Sequence, residues 1–131
     1  MSKVLLVEDE DFIRDLYKRQ LDLNGFQTEA AANGKQAMDL AGKNTYDLIL
    51  LDIMLPDTNG LEVLKFIRSS TPNDKTLVVM LTNLGQESII KEGFLLGAEG
   101  YLIKSSLTPS QIIQEIKNII KDRESKHGTP Q

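Results

Sequence analysis

Tyr46-Asp47-Leu48-Ile49-Leu50-Leu51-Asp52-Ile53-Met54-Leu55-Pro56-Asp57-Thr58-Asn59-Gly60 is the stretch whose reading decides the fold. Its apolar run, Leu48 to Leu51, is unbroken and too short for a helix. With turn residues behind it, the run reads as a strand buried on both faces of a parallel sheet. Asp52 ends the run. A carboxylate at the carboxyl end of a central strand stands where open α/β sheets place their ligands. Pro56 and Gly60 then turn the chain, and Gly60 opens a helical pattern with Leu61, Leu64 and Ile67 facing inward.

The flanking segments repeat this alternation. Val4 to Val7 is a second short apolar run, and it too ends in acids, Glu8, Asp9 and Glu10. From Asp11 a helical spacing puts Ile13, Leu16, Tyr17 and Leu21 on one side, closed by the cap pair Asn24-Gly25. Phe26 to Ala31 alternates weakly, as a strand nearer the sheet edge does, and Asn33-Gly34 starts a helix with a narrow stripe of Ala37, Met38 and Ala41. The turn cluster Thr71-Pro72-Asn73-Asp74 leads into Thr76 to Thr82, a third buried strand that ends on a hydroxyl. Asn83 to Gln86 reads as loop, and Glu87 to Leu96 as a short helix stopping near Gly97. Gly100 to Lys104 is a last strand ending on a lysine. Thr108-Pro109-Ser110-Gln111 combines capping-box spacing with proline at the first helical position. The helix it opens carries Ile112, Ile113, Ile116, Ile119 and Ile120 at helical spacing. Lys121 to Gln131 is polar and is expected to fray, which gives one domain over residues 1–122 and a polar tail over 123–131.

Five strands alternating with five helices specify an α/β fold, a doubly wound parallel sheet with helices on both faces. The chain has 131 residues, enough for one domain with a proper core. A formal net charge of −4 argues against direct nucleic-acid binding and against an anionic membrane surface. Without cysteine, neither a disulfide scaffold nor a thiolate metal site can form. The amino terminus lacks a long apolar segment with a cleavage site, and no apolar run is long enough to span a bilayer. The expected setting is cytoplasmic.

The alternation brings the strand ends, and with them four chemical groups, to one edge of the sheet: the Glu8-Asp9 pair, Asp52, Thr82 and Lys104. Crowded carboxylates with no cysteine or histidine among them suit a hard cation with oxygen ligands, and Mg²⁺ fits best because it needs only one or two carboxylates and keeps several waters. Lys104 adds a compact positive charge for a phosphoryl oxygen, and Thr82 a hydroxyl for another. Asp52 can act as a covalent nucleophile toward phosphorus. Taken singly, each residue has a plainer reading: a strand-end cap for Asp52, a solvated first-turn acid pair for Glu8 and Asp9, a loop hydroxyl for Thr82, a surface lysine for Lys104. Their convergence from distant parts of the chain is what outweighs that.

Val4-Leu5-Leu6-Val7-Glu8-Asp9-Glu10, Leu50-Leu51-Asp52-Ile53-Met54-Leu55-Pro56 with Gly60, Thr82, and Gly97-Ala98-Glu99-Gly100-Tyr101-Leu102-Ile103-Lys104 together resemble the receiver domain of two-component response regulators, in its stand-alone, chemotaxis-receiver-like form. The resemblance spans roughly Lys3 to Lys121. It implies a flavodoxin-like sheet of strand order 2-1-3-4-5. It implies that Asp52 is the phosphoacceptor and that Glu8, Asp9, Asp52 and the Met54 carbonyl hold Mg²⁺. Thr82 would be the switch hydroxyl, Lys104 the phosphate-pairing lysine and Tyr101 the aromatic switch. Such a domain is not an enzyme acting on a separate substrate; it catalyses its own phosphorylation and dephosphorylation, receives its phosphoryl group from a histidine kinase or phosphotransfer protein, and signals through the face of the fourth helix, fifth strand and fifth helix.

Two positions depart from the family pattern. Ser105 follows Lys104 where proline is usual, and a cis bond before serine is several kcal/mol more costly than before proline. Asn83 follows Thr82 where a small residue is usual. Met54 and Leu84, two past Asp52 and Thr82, offer no strong donor or acceptor for a hydrolytic water, which implies a long-lived phosphoryl group. With Glu99-Gly100 before Tyr101, one of the acids used for dimerisation in a large receiver subfamily is missing, so a monomer is expected before phosphorylation. Two rivals remain in view: the receiver part of a longer DNA-binding regulator, and a haloacid-dehalogenase-type phosphohydrolase. The latter wants a second Asp two residues past the nucleophile, where this chain has Met54.

Overall fold

The structure is a computed structural model that describes residues 2–83 and 87–127. Its elements are β1 (Lys3–Val7), α1 (Asp11–Leu23), β2 (Gln27–Ala31), α2 (Gly34–Lys43), β3 (Leu48–Asp52), α3 (Gly60–Ser70), β4 (Leu77–Thr82), α4 (Glu87–Leu95), β5 (Gly100–Ile103) and α5 (Pro109–His127), with a single 3₁₀ turn at Lys104–Ser106. The five strands pair in parallel in the order β2-β1-β3-β4-β5. This is the expected doubly wound sheet.

The pleat divides the strand residues between two cores, because successive side chains leave opposite faces. Leu5, Val7, Ile49, Leu51, Val78 and Met80 join one cluster with Ala37, Ala41, Leu61, Leu64 and Ile67 of α2 and α3. Val4, Leu6, Leu48, Leu50, Val79 and Leu81 join the other with Tyr17 and Leu21 of α1 and Ile112, Ile113 and Ile116 of α5. β3 is buried along its whole length, which is why its sequence is continuous rather than alternating.

Local signals set the helix ends. Asn33 caps α2 by accepting from the Gln36 N–H at 2.9 Å, and Asn59 caps α3 by accepting from the Leu61 N–H at 2.8 Å. The Thr108–Gln111 capping box forms reciprocally: the Thr108 N–H donates to the Gln111 side chain at 2.8 Å, and the Gln111 N–H to the Thr108 hydroxyl at 3.2 Å. Gly25, at φ +88°, takes the left-handed position after α1 that the Asn24-Gly25 pair foretold.

Some expectations needed adjustment. Lys104 lies just past β5 and begins the 3₁₀ turn instead of ending the strand. All peptide bonds among the described residues are trans, Lys104–Ser105 included. The helix expected to fray from Lys121 continues to His127. Arg123 helps hold it, donating to the Lys75 carbonyl at 2.6 Å and to Glu99 at 3.2 Å. Leu84 and the end of the Asn83–Gln86 loop lie outside the described residues, as do residues 128–131. No helix among the described residues is long and apolar enough to cross a membrane.

The turn at Thr71–Asp74 carries a residue that composition did not single out. Asn73 is fully buried, and its side chain donates to the Ala41 and Asn44 carbonyls, both at 2.7 Å. It accepts from the Tyr46 N–H at 2.8 Å and the Thr76 hydroxyl at 3.0 Å. It thereby sets the entry to β3 at the end of the sheet opposite Asp52.

Candidate functional site

The order β2-β1-β3 reverses the direction of winding at β1 and β3, and the crevice beyond the carboxyl ends of such strands is the usual ligand position. Val7 pairs with Leu51, and Asp52 with Leu81, so the residues following β1 and ending β3 and β4 come out side by side. Glu8 remains tied to the sheet, its N–H donating to the Ala31 carbonyl at 3.1 Å. The loop after Asp52 folds back sharply: the Gly60 N–H donates to the Ile53 carbonyl at 2.7 Å, and Met54 bridges to Asn59. A Cβ on Gly60 would stand 2.5 Å from the Asp52 carbonyl oxygen, so only glycine lets α3 start so close to the strand end.

Glu8, Asp9 and Asp52 each bring a carboxylate oxygen into one group whose members all lie within 4.8 Å of one another. Glu8 and Asp52 are buried, and Asp9 is half-buried. Lys104 reaches between two of them, its Nζ 3.0 Å from Glu8 Oε1 and 2.9 Å from Asp52 Oδ2. The other Asp52 oxygen accepts from the Met54 N–H at 2.9 Å. Thr82 is also buried, and its hydroxyl has no hydrogen-bond partner within the structure. An unpaired buried hydroxyl costs about 1–3 kcal/mol, which a ligand oxygen would relieve.

The electrostatics follow from the crowding. Burial, and then the charge of Asp52, pushes the Glu8 carboxyl up to about 7, against the help of Lys104 and the Glu10 N–H. Burial works against the Lys104 ammonium, but its hydrogen bonds to Asp52 and Glu8 and their charges outweigh that and raise it. Because the folded state holds the Glu8 proton more tightly, its stabilising contribution is fully present below about pH 4.5 and is lost as the pH rises toward 7. In chelator, Glu8→Gln should therefore unfold at higher urea than the wild type near pH 8, with the gap closing toward pH 5. A gap that does not vary with pH would contradict this assignment of the raised carboxyl.

The donor set fits a hard divalent cation. It is all oxygen, and with every group ionised the three acids and Lys104 sum to −2. The structure thus joins Glu8, Asp9, Asp52 and Lys104 directly, and Met54 through its backbone N–H, with an exposed side chain beside a groove shared with Asp9, Leu55 and Ile89. Tyr101 stands apart from the cluster, opposite Met80 in the register, with its ring edge-on to Phe94 at 6.1 Å. It is 43% exposed.

Two residues of the site's frame escaped the sequence reading. Asp57 accepts from the Gly34 and Lys35 N–H groups at 2.8 and 3.0 Å, tying the loop after Asp52 to the start of α2. Arg14 holds the turn that carries Glu8 and Asp9. The partners of Asp57 lie far away in sequence, and those two Arg14 contacts are to backbone carbonyls, which carry no residue signal.

The family model described as the response regulator receiver domain matches residues 4–117. The transcriptional regulatory protein SrrA of Staphylococcus aureus (strain NCTC 8325 / PS 47) is 36% identical over 124 residues, 95% of this chain and 50% of the relative. The chain therefore spans about half the length of that relative. Among solved structures, the chemotaxis response regulator CheY4 of Vibrio cholerae superposes with a TM-score of 0.84 at 31% identity, covering 91% of this chain and 98% of the other. A CheY-like receiver domain protein from Methanospirillum hungatei JF-1 gives 0.86 at 25% identity over 96% and 98% of the two chains.

Proposed function

Because the chain belongs to the response regulator receiver domain family, we propose that Asp52 accepts a phosphoryl group from a histidine kinase or phosphotransfer protein, with Mg²⁺ held by Glu8, Asp9, Asp52 and the Met54 carbonyl. The chain is a receiver domain of two-component response regulators. One observation supports the site reading most: carboxylates from the ends of β1 and β3 gather within 4.8 Å, around a lysine from the turn after β5.

In the transfer, an Asp52 oxygen attacks phosphorus, the bond to the donor nitrogen or oxygen breaks, and the electron pair leaves with the imidazole or carboxylate. The product is an acyl phosphate on Asp52, and catalysis is a matter of positioning and charge neutralisation. Mg²⁺, when bound, supplies neutralisation of the phosphoryl charge. Lys104, already at Asp52 Oδ2, is within reach of a phosphoryl oxygen there, and the unpartnered Thr82 hydroxyl has a proton to donate to another. The Met54 N–H keeps Asp52 Oδ1 turned toward the loop. By the same machinery the domain would dephosphorylate itself.

The test is intact-mass measurement after acetyl phosphate treatment. Wild type with Mg²⁺ should gain one phosphoryl group, while Asp52→Asn, or wild type with chelator, should gain none. Equal incorporation in wild type and Asp52→Asn would refute the assignment.

Output through the face of α4, β5 and α5 is supported by the exposure of Phe94, Leu95 and Tyr101 there. A monomer before phosphorylation is supported by Glu99, whose carboxylate is engaged inside the chain by Arg68 at 3.5 Å and Arg123 at 3.2 Å. A cytoplasmic setting is part of the same reading. A second reading, the receiver part of a longer DNA-binding regulator, is favoured by the half-length match to a transcriptional regulatory protein. In that case the domain itself would leave the nucleic acid to the attached part.

A further inference from the structure

We propose that Arg14 is a positioning residue for the divalent cation, holding the Glu8–Asp9 turn in the geometry that Mg²⁺ demands. The proposal rests on the Mg²⁺ reading of the acid cluster. Arg14 is the fourth residue of α1, and only 18% of its side chain is exposed. Its Nη1 donates to the carbonyl of Glu8 at 3.0 Å and to the carbonyl of Asp9 at 3.4 Å. Its Nη2 donates to the Asp11 carboxylate, which anchors the other side of the fork. One guanidinium therefore spans the peptide groups that follow both acids.

The turn needs such a hold. Glu8 keeps a sheet hydrogen bond to Ala31, but the strand pairing ends at Val7. Three carboxylates within 4.8 Å repel one another, and each peptide rotation in the turn would swing one of them away. Nη1 holds both carbonyls while Nη2, rigidly coplanar with it, is anchored on Asp11. The position of the donating nitrogen is thereby fixed in a way that a lysine's flexible ammonium without that second arm does not reproduce.

Charge alone does not account for the placement. A guanidinium beside the acids opposes an incoming divalent cation, so its electrostatic effect and its positioning effect on Mg²⁺ affinity have opposite signs. Mg²⁺ also demands near-ideal octahedral geometry, whereas Ca²⁺ tolerates irregular sites. A loosened turn should therefore harm Mg²⁺ more than Ca²⁺, and a changed charge should affect both alike.

The experiment is calorimetric titration of Mg²⁺ and of Ca²⁺ into wild type, Arg14→Lys and Arg14→Met, below their thermal midpoints in chelator. Both variants should bind Mg²⁺ about tenfold more weakly, as loss of a residue that orients metal ligands typically does, with a smaller loss for Ca²⁺. Should Arg14→Met not fold, Arg14→Lys, which keeps the charge, carries the test alone. Unchanged Mg²⁺ affinity in Arg14→Lys, tighter binding in Arg14→Met, or equal losses for both ions would each overturn the proposal. A wild type that binds no Mg²⁺ would instead remove the reading on which it rests.

Discussion

Asn73→Ala is expected to cost about 3–5 kcal/mol of folding stability, although residue 73 sits at the end of the sheet remote from the acids. The side chain of Asn73 uses its full capacity, two donated and two accepted hydrogen bonds, in a fully buried position. Alanine would strand the Ala41 and Asn44 carbonyls and the Tyr46 N–H, each at about 1–3 kcal/mol for an unpaired buried group. Asn73→Asp keeps the shape but loses both donated bonds and buries a charge, so it should be no better. Urea unfolding at fixed pH measures both. A loss under about 1 kcal/mol would mean that water or a repacked turn takes over the four bonds. Phosphoryl acceptance on Asp52, measured well below the midpoint, should survive, because the damage is to the entry of β3 and not its exit.

The second large effect is at Lys104. Lys104→Met removes the cation that sits between Glu8 and Asp52, and breaking a buried ion pair from one side costs about 3–5 kcal/mol. Glu8 softens this, because its carboxyl is already held up to about 7 and can take a proton in response. The metal-free variant should therefore lose about 2 kcal/mol at neutral pH, within that upper bound. Mg²⁺ affinity should move the other way, since the formal charge of the cluster falls from −2 to −3 when its one cation is deleted. Removing a unit charge a few ångströms from a divalent ion is worth about tenfold even in a water-like dielectric. Thermal midpoints in chelator and across an Mg²⁺ series report both effects, because ligand that binds only the folded state stabilises by mass action. A variant that is destabilised in chelator and gains no more from Mg²⁺ than wild type would show that Lys104 does not compete for the site.

The strand pattern was legible because β3 and β4 are buried on both faces, and such strands must be apolar throughout. Helix ends were legible where a side chain bonds its own helix, as at Asn33, Asn59 and the Thr108–Gln111 box. Lys104 does meet Glu8 and Asp52, though from one residue beyond the strand that was to carry it. The length of α5 was not legible, because Arg123 and its partners Lys75 and Glu99 are far apart in sequence.

By itself the sequence determined the alternation of strands and helices, and it put forward Glu8, Asp9, Asp52, Thr82 and Lys104 as candidates, each at or just beyond a strand end. Those follow from short-range rules, the period of apolar residues and the chemistry of single side chains. Only the tertiary structure decided which oxygens face one another, that Lys104 bridges Glu8 and Asp52, and that burial beside Asp52 lifts the Glu8 carboxyl. Only there do Arg14, Asp57 and Asn73 acquire their roles. The contacts that tie distant segments together are Arg14 to the Glu8 and Asp9 carbonyls, Asp57 to the Gly34 and Lys35 N–H groups, and Asn73 to the Ala41 and Asn44 carbonyls. All are to backbone groups, which every residue carries alike, so no residue type at the receiving end could have announced them.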